Sequence, residues 1–308
     1  MKLLKVSLLI VLTAVSTFAA ESKKAADYLQ DVSVTIRSEG RFSTGEGSGV
    51  IFSRQNKEGD TVNFVWTAAH VVDNLRVERK IIVKGTTHTV VEFKDAKIIK
   101  VIRQKGRTVG RLELDAEVVK YSNSETGHDL ALLKVRKLNF VKETVRFYLD
   151  GEIPKLGTDL WHVGSLLGEM GSNSMTDGIY SQTGRVIKQL NKHVFDQTTV
   201  AAFPGSSGGG VFLKGDTRYV GMLVRGAGET FNLIVPVRRM VTWAKKNDLL
   251  WALDPKVAMP SDEDFEKMEV EDAGGNFSKD DKDKSEKGIK VLKNFPFLLK
   301  VYNLTDIQ

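Results

Sequence analysis

The chain has 308 residues, of which 41% are hydrophobic and 27% charged, as is ordinary for a globular protein with one large or two small domains. The formal net charge is +6. The absence of cysteine excludes disulfide bonds, a thiol nucleophile and thiolate metal ligands.

Residues 1–19 have the pattern of a signal peptide. Lys2 and Lys5 precede an apolar run over 6–18, and small side chains at Thr17 and Ala19 suit cleavage after Ala19. We therefore expect export to the periplasm or the medium, with no stable membrane insertion once the signal is removed. An uncleaved anchor is the alternative, for which the apolar run is short.

Residues 20–254 are predicted to form one domain. A short helix over 22–29 precedes many short strands at roughly ten-residue spacing, which favours an all-β sandwich or barrel. An amphipathic helix over 238–253 closes the domain. The predicted strands are 32–36, 49–52, 62–67, 80–83, 87–93, 97–101, 111–114, 116–121, 130–135, 160–163, 178–181, 211–213, 220–224 and 232–235.

The C-terminal region differs in composition from the domain. Residues 255–288 are predicted to be an acidic disordered linker, and 289–308 an apolar and basic tail that docks on the protein or a partner, or simply frays. Residues 261–286 hold eleven Asp and Glu against four Lys, a net charge of −7, which leaves +13 elsewhere. No aromatic platform or nucleic-acid motif accompanies this basic body, so we expect no nucleic-acid partner.

Three segments carry candidate chemistry. An apolar strand ends at Ala68, Ala69 and His70, and Asp129 begins another apolar strand, where a carboxylate needs a partner. Small residues from Gly205 to Gly210 surround Ser207 and allow backbone amides to converge on an oxyanion. Taken singly, each segment has another interpretation: His70 as a core histidine, Asp129 as a turn-capping aspartate, and the glycines as an ordinary turn. No Lys-Ser/Thr follows the glycines, which excludes a phosphate-binding loop.

In the order His, Asp, Ser, these segments resemble the trypsin-like serine peptidases, nearest to the bacterial HtrA/Deg-type protease domain. Segments 47–51, 116–119, 178–181 and 234–237 are also similar to that type, so the resemblance covers about residues 30–250. It implies two packed six-stranded antiparallel β-barrels with a C-terminal helix. Ser206 and Gly210 depart from the family pattern, and we expect no PDZ domain in the polar residues after Pro260.

The resemblance also implies residue roles. Ser207 would be the nucleophile, His70 the general base and Asp129 the residue that holds the imidazole tautomer. The oxyanion hole would consist of the Gly205 and Ser207 amides. Ala201 would lie at the base of an apolar substrate pocket whose wall holds Val224, Arg225 and Gly226.

The predicted function is therefore that of a serine endopeptidase acting on polypeptides. It would need no cofactor and no metal ion, and the HtrA type allows a homo-oligomer. A catalytically silent protein of the same fold, which binds a peptide or a surface partner, is the alternative.

Overall fold

In the computed structural model of the chain, residues 24–83, 86–104, 106–187, 190, 192–226, 230–272 and 289–291 are described. Their helices are α1 (24–31), α2 (Ala69–Val72), α3 (Val237–Lys246) and α4 (Asp262–Lys267). Their strands are β1 (Ser33–Glu39), β2 (Thr44–Gln55), β3 (Thr61–Thr67), β4 (Arg76–Val83), β5 (Thr86–Phe93), β6 (Ala96–Gln104), β7 (Arg107–Ser122), β8 (Leu130–Val135), β9 (Asp159–Gly164), β10 (Ser174–Val186), β11 (Val194–Thr198), β12 (Gly210–Leu213), β13 (Tyr219–Gly226), β14 (Asn232–Pro236) and β15 (Ile289–Val291).

Twelve of these strands form two closed six-stranded barrels, which confirms the predicted fold. The first has the order β1-β2-β3-β8-β7-β6 and the second β10-β11-β14-β13-β12-β9. Neighbouring strands within each barrel are antiparallel. The β4–β5 hairpin stands apart, in a sheet of three strands with β15.

An aromatic cluster ties the first barrel to the end of the domain. The rings of Phe52 and Phe64 stack with centroids 5.2 Å apart, and Trp251 meets Phe64 edge-on at 4.9 Å. The indole N–H of Trp66 donates to the carbonyl of Ala252 at 3.1 Å. Large aromatic surfaces contribute most to core stability, so α3 and the turn after it are fixed against the first barrel. The helix predicted over 238–253 ends earlier, at Lys246, and a 3₁₀ turn at Leu250–Ala252 follows it.

Part of the predicted acidic linker is ordered, so the prediction of disorder is wrong for residues 255–272. Ser261 and Asp264 form a capping box that begins α4, and Phe265 on this helix is only 3% exposed. The Val270 carbonyl accepts from the Tyr121 amide at 2.7 Å. The prediction from net charge missed this outcome because it did not include the burial of Phe265. This side chain packs on Phe64 and Trp251, and its burial stabilises the segment although most of the acidic residues around it stay solvated.

The remaining terminal predictions fall mostly on residues that are not described. The signal peptide over 1–19, residues 273–288 of the linker and residues 292–308 of the tail lie outside the described part of the chain. Within the tail, β15 pairs in parallel with β5, with Ile289 opposite Thr89. No helix of the described ranges has the length and hydropathy needed to cross a bilayer.

Candidate active site

His70 lies at the point where β3 turns into α2. Ala68 and Ala69 are fully buried there, so the small residues noted in the sequence let the chain turn tightly beneath the ring. The His70 side chain itself is partly exposed. From this position Nδ1 of the imidazole meets Asp129, whereas Nε2 has no hydrogen bond among the described residues.

Asp129 binds the inner edge of this imidazole. Both carboxylate oxygens lie 2.9 Å from Nδ1 of His70, and Oδ1 accepts from the His70 amide at 3.1 Å. Asp129 is 5% exposed and has a φ of 56°, which aspartate tolerates better than most residues. Burial alone would raise the pKa of Asp129, but the hydrogen bonds from His70 and the charge of Arg225 lower it overall. A carboxylate that is ionised here holds the ring in one orientation.

Ser207 lies on the loop between β11 and β12, at the junction of the barrels. A Cβ on Gly208 would come within 2.1 Å of the Ser48 carbonyl and 2.4 Å of Thr67 Oγ1, so only glycine lets this loop reach the end of β3. Ser207 is thereby brought near the segment that carries His70. The hydrogen bonds of His70 among the described residues go to Asp129 and Arg225, and none reaches Ser207.

The same loop presents two unpaired amides. The amides of Ser206, Gly208 and Gly209 donate to backbone carbonyls. Within the described ranges, the amides of Gly205 and Ser207 have no acceptor, although buried amides are almost always paired. Gly205 has a φ of +92°, which glycine alone adopts without strain. These two N–H groups therefore have no acceptor among the described residues.

Ser48 on β2 holds the carbonyls of this loop. Its amide donates to the Ser207 carbonyl and its hydroxyl to the Gly205 carbonyl, both at 2.7 Å. The hydroxyl also accepts from the Ser165 amide at 2.7 Å. One residue of the first barrel therefore fixes the backbone on either side of Ser206 in the second.

If the chain has the peptidase function predicted from the sequence, Ser48→Ala is expected to reduce the kcat of peptide cleavage by about tenfold, because it leaves the Gly205 carbonyl and the Ser165 amide without partners. The matched control is Ser33→Ala, which removes another buried serine whose hydroxyl donates to the Leu29 carbonyl at 2.7 Å. Both variants should melt at lower temperature, but only Ser48→Ala should lose kcat. Equal kcat values for the two variants would contradict this role for Ser48.

The residues predicted to form the substrate pocket behave differently from one another. Ala201 is half-buried, with its carbonyl accepting from Thr176 Oγ1 at 2.9 Å, and Gly226 is exposed. Asn232 links the two sides, since it donates to the Val200 carbonyl and packs against Gly226. The Val224 side chain is 1% exposed and belongs to the core, so it does not face the pocket. Arg225 extends toward His70.

A partly buried cluster lies behind Asp129. The rings of His128 and His193 stack with centroids 4.2 Å apart and so join the first barrel to the second. Arg239 on α3 donates to the His128 carbonyl and lies over the ring of Phe195. Burial, followed by the charges of His193 and Arg239, lowers the pKa of His128 to about 3. This cluster braces the turn that carries Asp129.

The chain matches the trypsin-like peptidase domain over residues 47–222, which is more than half of its length. The chain belongs to this family. The matched range begins just before Ser48 and includes His70, Asp129 and Ser207.

Solved structures of trypsin-like peptidases share the fold. The HtrA-type protease AlgW with a tripeptide is 19% identical with a TM-score of 0.54, and its serine-to-alanine variant with a tripeptide is also 19% identical, with a TM-score of 0.53. The serine endoprotease from Yersinia pestis is 20% identical with a TM-score of 0.51. Each alignment covers 75% of this chain but only 64%, 64% and 66% of the respective structures, so the chain spans just under two thirds of their length. A comparison with curated proteins gives no significant sequence match.

Sequence reasoning missed several residues that shape this trypsin-like site. Ser48 had a signal, since segment 47–51 is similar to the HtrA type, but nothing in the segment indicated which carbonyls it holds. No signal in the sequence indicated the contact of Arg225 with His70 or the stacking of His128 on His193, because each joins segments that are far apart in the chain.

Proposed function

We propose that this chain is a serine endopeptidase that cleaves polypeptides through the triad of His70, Asp129 and Ser207. The observation that carries the proposal is the hydrogen-bonded pair of His70 and the buried Asp129, 2.9 Å apart, beside the loop that holds Ser207. No hydrogen bond of the described residues occupies Nε2 of His70, which is the atom that a general base needs free.

The reaction proceeds in two halves. Ser207 Oγ attacks the scissile carbonyl carbon while its proton passes to Nε2 of His70, and Asp129 accepts a hydrogen bond from the protonated Nδ1 throughout. The Gly205 and Ser207 amides donate to the oxyanion. The C–N bond then breaks, His70 gives its proton to the departing amine, and an acyl ester on Ser207 remains. Water, activated by His70, hydrolyses the ester and restores the serine.

The same proposal includes the setting of the enzyme. Residues 20–254, with the ordered segment up to 272, form the peptidase domain, and the signal peptide predicted over 1–19 directs export. Polypeptides outside the cytoplasm are then the substrates. No metal ion or cofactor enters the mechanism, because each step uses a side chain or amide already named.

Labelling with a fluorophosphonate probe tests the proposal, because the probe reacts only with an activated serine. The wild-type protein should be labelled and should digest unfolded casein, whereas Ser207→Ala should do neither. Ser206→Ala is the matched control; its hydroxyl accepts from the Phe203 amide at 3.1 Å, away from the reacting atoms, so labelling should persist.

A catalytically silent peptide-binding protein remains the second candidate. It is favoured by one observation, which is that His70 contacts Arg225 at 3.3 Å and makes no hydrogen bond to Ser207. A folded wild-type protein that resists the probe and leaves casein intact would support this candidate and overturn the first.

A further inference from the structure

Arg225 occupies an unusual place beside the candidate triad. It lies at the end of β13, and its Nη1 is 3.3 Å from Nδ1 of His70 while its Nη2 is 3.5 Å from Oδ2 of Asp129. Its only other hydrogen bond among the described residues is a long one, 3.5 Å, to the Val224 carbonyl. The side chain is 36% exposed. The guanidinium is therefore held loosely and can be reached from solvent.

Two arginines next to the second barrel, Arg218 and Arg238, are held by dedicated carboxylates. Arg238 forms a bidentate pair with Asp196, and Arg218 donates to both Asp150 and Asp216 at 2.6 Å. Asp129 comes no closer to Arg225 than 3.5 Å, and its oxygens also accept hydrogen bonds from His70. Among the described residues, the planar fork of Arg225 thus has no bidentate carboxylate, which is the partner that this group binds best.

The contact with His70 also works against catalysis. A guanidinium has hydrogen-bond donors only. When Nδ1 of His70 carries the proton that it donates to Asp129, the N–H groups of Arg225 and His70 face each other at 3.3 Å and repel. Once His70 has taken the proton of Ser207, the imidazolium and the guanidinium are two like charges at short range, and they repel each other. Moving Arg225 away from His70 would remove both effects.

We propose that Arg225 binds an acidic side chain of the substrate and in doing so leaves His70, so that acidic substrates are both preferred and turned over faster. This inference rests on the proposed function. An extended peptide directs alternate side chains to opposite sides. When the residue before the scissile bond faces Ala201, the preceding residue faces away from that pocket. We assign the acidic side chain to this second residue before the scissile bond.

Two peptide series test the assignment. Fluorogenic peptides with Glu, Gln or Lys at the second residue before the bond are compared, and Glu is then moved along the peptide. Wild-type enzyme should cleave the Glu peptide with a kcat/KM about 10- to 100-fold above that of the Gln peptide, and kcat itself should rise. The advantage should disappear when Glu is moved elsewhere.

Substitutions assign the effect to Arg225. Arg225→Gln should reduce the Glu preference to within about twofold and should cleave the Gln peptide faster than wild type does. Arg225→Lys should retain part of the preference. Arg218→Gln, an equal loss of charge away from the triad, should behave as wild type. A Glu preference that survives in Arg225→Gln, or its absence from wild type at every position, overturns the inference.

Binding measurements separate this inference from the proposed function. Ser207→Ala should bind the Glu peptide more tightly than the Gln peptide, and adding Arg225→Gln should remove the difference. If wild type resists the fluorophosphonate probe but this difference in binding is found, only the proposed function fails. If wild type is labelled but neither cleavage nor binding distinguishes the peptides, only the role of Arg225 is wrong.

Discussion

Asp129→Asn is expected to lower kcat for peptide cleavage by about 10⁴-fold, equivalent to roughly 5 kcal/mol in the activation barrier. The asparagine amide can donate to Nδ1 of His70, whereas the carboxylate accepts from it. The ring then carries its proton on Nε2 and cannot take the proton of Ser207. Because Arg225 also donates toward Nδ1, at 3.3 Å, it would favour the same unproductive tautomer.

Asp73→Asn is the matched control for this experiment. Asp73 lies three residues after His70, and its carboxylate accepts from Tyr121 and Ser124 instead of from the imidazole. We expect it to keep kcat within about tenfold of wild type, measured with one peptide at saturating concentration. If Asp73→Asn lost as much kcat as Asp129→Asn, the loss could not be assigned to the tautomer of His70.

The fold is expected to lose about 4 kcal/mol of its free energy of unfolding between pH 7 and pH 5 through two histidines, the buried His162 and the partly buried His128. Burial lowers the pKa of His162 to about 4, and burial with nearby positive charge lowers that of His128 to about 3. Both lie below the unfolded value of about 6.5, so the unfolded chain binds more protons below that pH and stability falls as pH falls. The pKa of His193 is lowered as well, mainly by burial, which adds to the same trend.

The surroundings of both rings explain why they resist protonation. His162 is 0% exposed and its Nδ1 donates to the Gly210 carbonyl at 3.0 Å, while Nε2 has no partner among the described residues. Nδ1 of His128 also has no hydrogen-bond partner among the described residues, and Arg239 donates to the carbonyl of the same residue. A second proton on either ring would be a buried charge without an acceptor, which is costly.

Urea unfolding at pH 5, 6 and 7 measures this effect as the slope of the free energy of unfolding with pH. His128→Gln and His162→Gln should each remove about half of the slope, since glutamine does not titrate. His88→Gln, on β5 and outside both barrels, should leave it unchanged. A wild-type slope near zero, or a slope that survives both substitutions, would show that these histidines do not control acid stability.

Much of the architecture was predictable because its signals are periodic. Short alternating strands separated by turn residues predicted an all-β fold, and the resemblance to the trypsin-like peptidases implied two six-stranded barrels, as found. Net charge was a poorer guide. It predicted a disordered linker where α4 and Val270 pack on the first barrel, because the packing depends on one phenylalanine and the aromatic rings it meets.

The sequence by itself determined which residues could form a triad, because each signal is local. Two alanines precede His70, an apolar strand follows Asp129, and glycines surround Ser207. Only the tertiary structure decided what surrounds them. Ser48 reaches Gly205 across 157 residues of chain and Arg225 reaches His70 across 155. No periodicity or motif encodes contacts at such separation, since they exist only once both barrels have closed and packed together.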